Sequence, residues 1–351
     1  MVRRSPFTVR YCQISNRKGA NLMTRYPKRE RLAATFAGAA VDRTPVALWR
    51  HWPVDDLRGD SLARATLTFQ RDYDFDFIKV TPNSIYCIEG YGANAIWRGS
   101  TEGSYSWAQR PIQQPADWVA LQPLDPTQGL LAEVLKANRL IGQAVGEETP
   151  FIQTIFNPLA QAKNLAGDRL YADLRQHPDA VLAGLQTITE SILRFIAALK
   201  ETGAAGIFLA LQHASYDLLT ADEYRTFGCP FDRQILAATA GMWFNLIHLH
   251  GSNVMFDVVA DYPAQLINWH DLETPPSLAE ARSRTPMALC GGLRQWETMV
   301  YGTPEMVRAE AQAAMVATEN RRFVLGTGCV TPIVAPTCNL LAARHALDAG
   351  Q

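Results

Sequence analysis

The sequence predicts an α/β fold, a single (β/α)8 barrel of the TIM type, and three observations carry that expectation. Eight short apolar runs of strand length occur in one chain of 351 residues. A stretch of helical periodicity separates each from the next, which is the alternation expected of a parallel α/β protein. No Gly-x-Gly-x-x-Gly follows the first run, which weakens a doubly wound dinucleotide-binding reading. The composition, 48% hydrophobic and 19% charged, is that of a globular chain with a large core, and barrels routinely exceed the average domain length.

The predicted strands are, in order, Pro45–Trp49, Phe77–Thr81, Phe151–Phe156, Gly206–Leu211, Asn245–His250, Leu266–His270, Met287–Gly291 and Phe323–Gly326. Strands of a parallel sheet are covered on both faces, so they read as near-continuous apolar runs. Phe151–Phe156 (FIQTIF) and Gly206–Leu211 (GIFLAL) have that character. Among the helices, Pro178–Thr202 opens on a proline suited to a first turn. Val181, Leu185, Ile188, Ile192, Phe195 and Leu199 then recur along one face. Thr303, Pro304 and Glu305 supply an N-cap, a first-turn proline and an acid at the positive helix end.

The longest interruption is Ser84–Pro150, between the second and third predicted strands. Within it, Ala95–Arg98 and Ser104–Gln109 flank a Gly-Ser-Thr-Glu-Gly turn and predict a hairpin, and Leu130–Val145 predicts a helix. Insertions of that length in a compact domain commonly serve as lids or binding loops, so this one is expected to cover the barrel mouth.

A formal net charge of −1 leaves no general field to draw nucleic acid or an anionic membrane. Neither is expected as a partner, and a small-molecule substrate is. No run approaches the roughly 18 consecutive apolar residues of a spanning helix. The six cysteines are dispersed and contain no Cys-x-x-Cys pair, so a disulfide framework is not expected and a reducing, cytoplasmic setting is. Residues 1–22 hold Arg3, Arg4, Arg10, Arg17 and Lys18 without an acid, but no apolar segment. They read as a loose N-terminal tail before a barrel domain over 23–351.

Side chains that do chemistry in such a barrel lie at the C-terminal ends of strands. In Phe244–Gly251 a period of two puts His248 and His250 on one face, roughly 7 Å apart, where both can converge on a metal. The alternative is that each is a hydrogen-bonded structural histidine. Cys329 follows the last predicted strand among glycines. A thiolate with imidazoles is a ligand set for zinc, and three protein ligands would leave a fourth position open. After the sixth predicted strand, His270, Asp271 or Glu273 could close the shell or act as acid or base. Arg50 and His51 leave the first strand, Asn157 the third and His213 the fourth. Arg50 is the natural anion clamp because its planar fork bonds bidentately. His345 and His177 read as structural. P-loop, Gly-x-Ser-x-Gly and His-Glu-x-x-His motifs are absent.

Several segments carry a resemblance over nearly the whole chain, from about Arg29 to Ala349. They are Arg29–Leu32 with Asp42–Arg50, Asn157–Gly167, Ile267–Asp271, Cys290–Leu293 and Val324–Cys329. On these the chain resembles the uroporphyrinogen decarboxylase superfamily. That resemblance implies a (β/α)8 barrel with its cleft at the C-terminal mouth.

The chain departs from true decarboxylases of that superfamily. Arg50 matches their first arginine, but Val54 stands at the second, Pro82 or Asn83 where an aspartate is expected, and Thr327 where a histidine is expected. It is nearer the branch of zinc methyltransferases that move methyl groups between corrinoid proteins and thiols. That branch carries His-x-Cys-Gly after the fifth strand and Gly-Cys after the eighth. His248, Gly251 and Cys329 match, and His250 replaces the cysteine.

The resemblance therefore implies zinc held by His248, His250 and Cys329, a corrinoid on a partner protein as methyl donor, and a thiol or similar nucleophile as acceptor. Asp271, Glu273 and His270 are the expected catalytic group, and Arg50, His51, Asn83, Asn157 and His213 the expected substrate contacts. Whether the chain forms a homodimer is left open. A decarboxylating lyase acting on a tetrapyrrole or other acid, and a non-catalytic binding barrel, are the alternatives.

Overall fold

The computed structural model describes residues 26–348; the expected tail, 1–22, lies outside them. Seven parallel strands form one curled sheet: β1 (Ile78–Val80), β4 (Phe151–Phe156), β5 (Gly206–Leu211), β6 (Leu246–Leu249), β7 (Leu266–Asn268), β8 (Ala288–Leu293) and β9 (Phe323–Thr327), in that spatial order. A two-stranded antiparallel sheet, β2 (Asn94–Ile96) with β3 (Ser106–Gln109), stands apart. Seven predicted strands thus recur within a few residues of their expected bounds.

The remaining predicted strand, Pro45–Trp49, is an extended segment that closes the ring. Val46 forms a parallel bridge with Leu325 of β9. The Ala47 amide donates to the Leu325 carbonyl at 3.0 Å, and the Leu325 amide donates to the Pro45 carbonyl at 2.9 Å. On the other side, the Asp76 amide, just before β1, donates to the Val46 carbonyl at 2.9 Å. Pro45 has no N–H to give, which limits the ladder on this segment.

A buried charge network fixes the same seam. The fully buried Asp76 carboxylate accepts from the Val46 amide, Arg31 and Arg43, each at 2.7 Å. Arg31 also grips Asp42 through two nitrogens, at 2.7 and 2.8 Å.

The sequence periodicity finds its physical cause in the barrel's layers. Every residue of β4, β5, β6, β8 and β9 is buried, as expected when helices cover a parallel sheet. Helix Pro178–Lys200 buries the apolar stripe read from the sequence, Val181 through Leu199. Its length and composition would also allow a membrane crossing, but that stripe packs in the barrel's own core. The Thr303 hydroxyl caps helix Pro304–Ala317 by accepting the Met306 amide.

The long insertion divides in two. Its hairpin, β2 and β3, turns on Gly99 and Gly103, both at φ 84°, a conformation natural to glycine. The tip, Glu102–Tyr105, lines the cleft at the barrel mouth. Its later half, helix Gly129–Val145, packs against helix Gly59–Tyr73 as the crossover between β1 and β4.

Candidate metal centre in the barrel mouth

Three strand ends bring four donor side chains together. His248 lies in β6, and His250 follows two residues on, so the pleat presents both rings to one side, with centroids 5.8 Å apart. His270, two residues past β7, puts its ring 6.2 Å from that of His248 and 5.6 Å from that of His250. Cys329 follows β9 after Gly328. A Cβ on Gly328 would meet the His270 backbone at 2.8 Å, so glycine there lets the cysteine loop pass this close. The ligating atoms of His248, His250, His270 and Cys329 lie within 4.8 Å of one another. The Cys329 Sγ stands 3.6 Å from the His250 Nδ1.

Hydrogen bonds outside this cluster fix which nitrogens face it. The Asn268 amide donates to the carbonyls of Cys290 and Thr327, at 2.9 and 3.0 Å. Carbonyls only accept, so the Asn268 Oδ1 is left to receive the proton of the His248 Nδ1, at 2.7 Å. The His248 Nε2 then carries a lone pair, is buried, and has no hydrogen-bond partner. His270 repeats the pattern: its Nδ1 lies 3.3 Å from a Glu273 carboxylate oxygen and its buried Nε2 has no partner. Metal-bound histidines are oriented by just such second contacts, and two unsatisfied ring nitrogens beside a cysteine sulfur suit a zinc-type cation.

The electrostatics agree with a ligand set. Burial pushes the Cys329 thiol up, but the three surrounding imidazoles outweigh it and hold the thiol well below its ordinary range. Burial pushes His248 down against the pull of that sulfur. For His250 and His270 the sulfur outweighs burial and both are raised.

Of the residues singled out from sequence, His248, His250, His270 and Cys329 converge. His270 therefore lies with the other donors, in the first of the two roles, closing the shell or acting as acid or base, that the sequence left open for it. Glu273 approaches the cluster through His270. Asp271 does not take part: it is buried, and both its oxygens accept the Gly292 amide, at 3.1 and 3.2 Å. Burial raises it to about 7.

The expected substrate contacts sort by strand alternation. Trp49 and His51 line the cleft. Arg50, between them, faces the other way, over the rings of Trp52 at 4.6 Å and Phe69 at 5.2 Å, so it is not the anion clamp of this cavity. Asn83 lines the cleft, but its amide is spent on the Asp56 carbonyl and the Ile85 amide. Asn157 caps helix Pro158–Ala166 and donates to Asp232, which makes it structural. His213 is buried beside Tyr171, outside the cavity lining. Burial pushes it down to about 3.

Sequence reading passed over Lys79. It enters the cleft from the middle of β1 and is only 6% exposed. Burial pushes its ammonium down to about 7. The available signal was a lysine inside an otherwise apolar strand, Ile78-Lys79-Val80, where a charge is rarely kept without use. Glu102 and Tyr105 reach the cleft from the hairpin, and no local pattern marked them. The cavity holds about 240 Å³.

Comparison with known proteins adds a family context. The uroporphyrinogen decarboxylase (URO-D) family model matches residues 56–349. A methylcobamide:CoM methyltransferase (MtbA) of Methanosarcina mazei is 22% identical over 333 residues, covering 91% of this chain and 96% of that protein. A second such enzyme (MtaA), from Methanosarcina barkeri, is 22% identical over 351 residues, covering 93% and 99%. A uroporphyrinogen decarboxylase of Chlorobaculum parvum is 26% identical over 194 residues, about half of each chain. Among solved structures, a methyltransferase from Methanosarcina mazei superposes with a TM-score of 0.78 at 20% identity, covering 92% of this chain and 98% of that one. This supports the barrel architecture.

Proposed function

The chain belongs to the uroporphyrinogen decarboxylase family, and from that premise we propose that it is a zinc-dependent methyltransferase. It moves a methyl group from a methylated corrinoid, carried by a partner protein, to a small thiol or similar nucleophile. The curated relatives spanning nearly the whole chain support methyl transfer. The observation that carries the metal is the pair of buried, unpartnered Nε2 atoms of His248 and His270, facing Cys329 and His250.

In this reading His248, His250, His270 and Cys329 would hold the ion, with His270 giving up its place where the acceptor's sulfur needs the fourth position. A bound zinc lowers the pKa of a coordinating thiol and so supplies a thiolate at neutral pH. Asn268 and Glu273 orient two of the imidazoles, and the apolar walls Trp49, Phe156 and Phe208 keep water from the reacting sulfur. The acceptor gives up its proton and forms its new bond to the methyl carbon, while the former bonding pair stays with the donor. A cavity of about 240 Å³ suits a small acceptor better than a tetrapyrrole. The single barrel domain extending over 23–351 is part of the same proposal.

Metal analysis of the purified protein beside Cys329→Ser, together with absorbance-monitored demethylation of methylcobalamin in the presence of a thiol, tests it. One zinc per chain, lost in the variant, and thiol-dependent demethylation are expected. Metal-free protein that consumes uroporphyrinogen would replace this reading with the lyase.

A further inference from the structure

The hairpin of β2 and β3 forms one wall of the cleft without belonging to the barrel. Among the described residues its strands pair with each other and with no strand of the main sheet. Its base is fixed, since the Arg110 guanidinium donates to the Lys163 and Asn164 carbonyls at 2.9 and 2.7 Å. The blade is held far less: Ile96 and Trp97 are exposed, and in β2 only Ala95 is buried.

The tip, which lines the cleft from Glu102 to Tyr105, depends on polar ties. The Thr101 carbonyl accepts the Ile333 amide at 3.0 Å, and Glu102 accepts the Trp296 indole N–H at 3.3 Å. A third tie is different in kind. The Tyr105 hydroxyl donates to the Asp56 Oδ1 at 2.7 Å and accepts the Val54 amide at 2.9 Å. Asp56 is buried, and its Oδ2 has no partner. Val54 stands at φ 74°, a conformation that a β-branched residue keeps only where its surroundings impose it.

A blade with few buried apolar contacts belongs to the parts of a protein that open most readily. Backbone strain of the Val54 kind gathers at clamps and switches. With the tip in place, the Tyr105 hydroxyl compensates for that strain. With the tip lifted, Val54 is free to relax and the cleft loses one wall.

We propose that the hairpin Asn94–Gln109 is a gate for solutes entering the cleft, and that the Tyr105 hydroxyl is its latch, closed on Asp56 and Val54. Tyr105 is a positioning residue in this role. The gate rests on Cys329 lining the cleft, and on neither zinc nor methyl transfer.

Alkylation of the chelator-treated, full-length protein by iodoacetamide reads the gate, each cysteine being followed by peptide mass spectrometry. Cys329 lies in the cleft and Cys338 is exposed, so Cys338 serves as the reference. When openings are brief, modification follows the open population. Tyr105→Phe is expected to raise the Cys329 rate relative to Cys338 by about tenfold, the scale of one lost hydrogen bond. It should also speed hydrogen exchange around Ile333 and leave β4 and β5 unchanged. Val54→Gly keeps the N–H and relieves the strain, so it is expected to slow Cys329 by about threefold. A Cys329 rate in Tyr105→Phe equal to that of the wild type, or faster exchange shared equally by β4 and β5, overturns the inference. If Tyr105→Phe does not fold, Val54→Gly decides alone, and a rate no slower than that of the wild type overturns it.

Discussion

The His248 Nδ1 and the Asn268 Oδ1 lie 2.7 Å apart, on neighbouring strands β6 and β7 in direct register. Asn268 cannot turn round, because its amide protons are committed to two carbonyls. Asn268→Ala is therefore expected to lower zinc affinity by about 10- to 100-fold while the fold persists. Competition against a chromophoric chelator measures it, and unchanged affinity would remove Asn268 from the site.

His270 and Asp271 are adjacent in sequence and opposite in role. His270→Ala should lose stoichiometric metal. Asp271→Ala should keep it but destabilise the protein by about 1–3 kcal/mol, since the Gly292 amide is left buried without an acceptor. Metal content and urea unfolding of both variants tell these outcomes apart.

In the resemblance read from the sequence, His250 stands where the methyltransferase branch carries cysteine. Three imidazoles and one thiolate leave a bound zinc more positive than two thiolates would, which makes a coordinated acceptor thiolate easier to form and less nucleophilic. His250→Cys is expected to raise the saturated rate of methyl transfer from methylcobalamin by about tenfold, of order 1.4 kcal/mol in barrier. A slower variant that retains zinc would reverse this account.

Asp56 supplies a pH dependence. Burial raises its carboxyl to about 7, against the hydrogen bond from the Tyr105 hydroxyl at 2.7 Å. A raised acid favours the protonated folded state, so its contribution is complete below the ordinary aspartate range and is lost as pH rises through about 7. Asp56→Asn keeps an acceptor for Tyr105, and it should narrow the difference in Tm between pH 5 and pH 8. The effect is of order a few kcal/mol at most. Scanning calorimetry at the two pH values checks it.

Asp76 tests ring closure. Asp76→Asn leaves Arg31 and Arg43 facing each other without their shared acid and weakens the tie to Val46. A loss of about 3–5 kcal/mol in denaturant unfolding is expected. A loss below about 1 kcal/mol would show that the seam does not depend on this network.

The barrel was legible because its signals are local. A strand covered by helices on one face and packed into the barrel on the other is buried along its length and mostly apolar, as β4, β5 and β6 are. The His-x-His spacing was legible for the same reason, since the pleat alone puts both rings on one side. Cys329 stood out through its position after β9.

What the chain alone determined, then, is the order of strands, the helices with their caps, and three of the four donors. The tertiary structure decided which neighbour at each strand end turns inward. His270 was selected over Asp271 because the Gly292 amide on β8 claims the aspartate. His51 was selected over Arg50 because alternation sends the arginine to the rings of Trp52 and Phe69. Lys79 joined the site only when ring closure set β1 beside Trp49 and across from Phe208. These choices depend on contacts between residues far apart in sequence, and a local pattern holds no record of them.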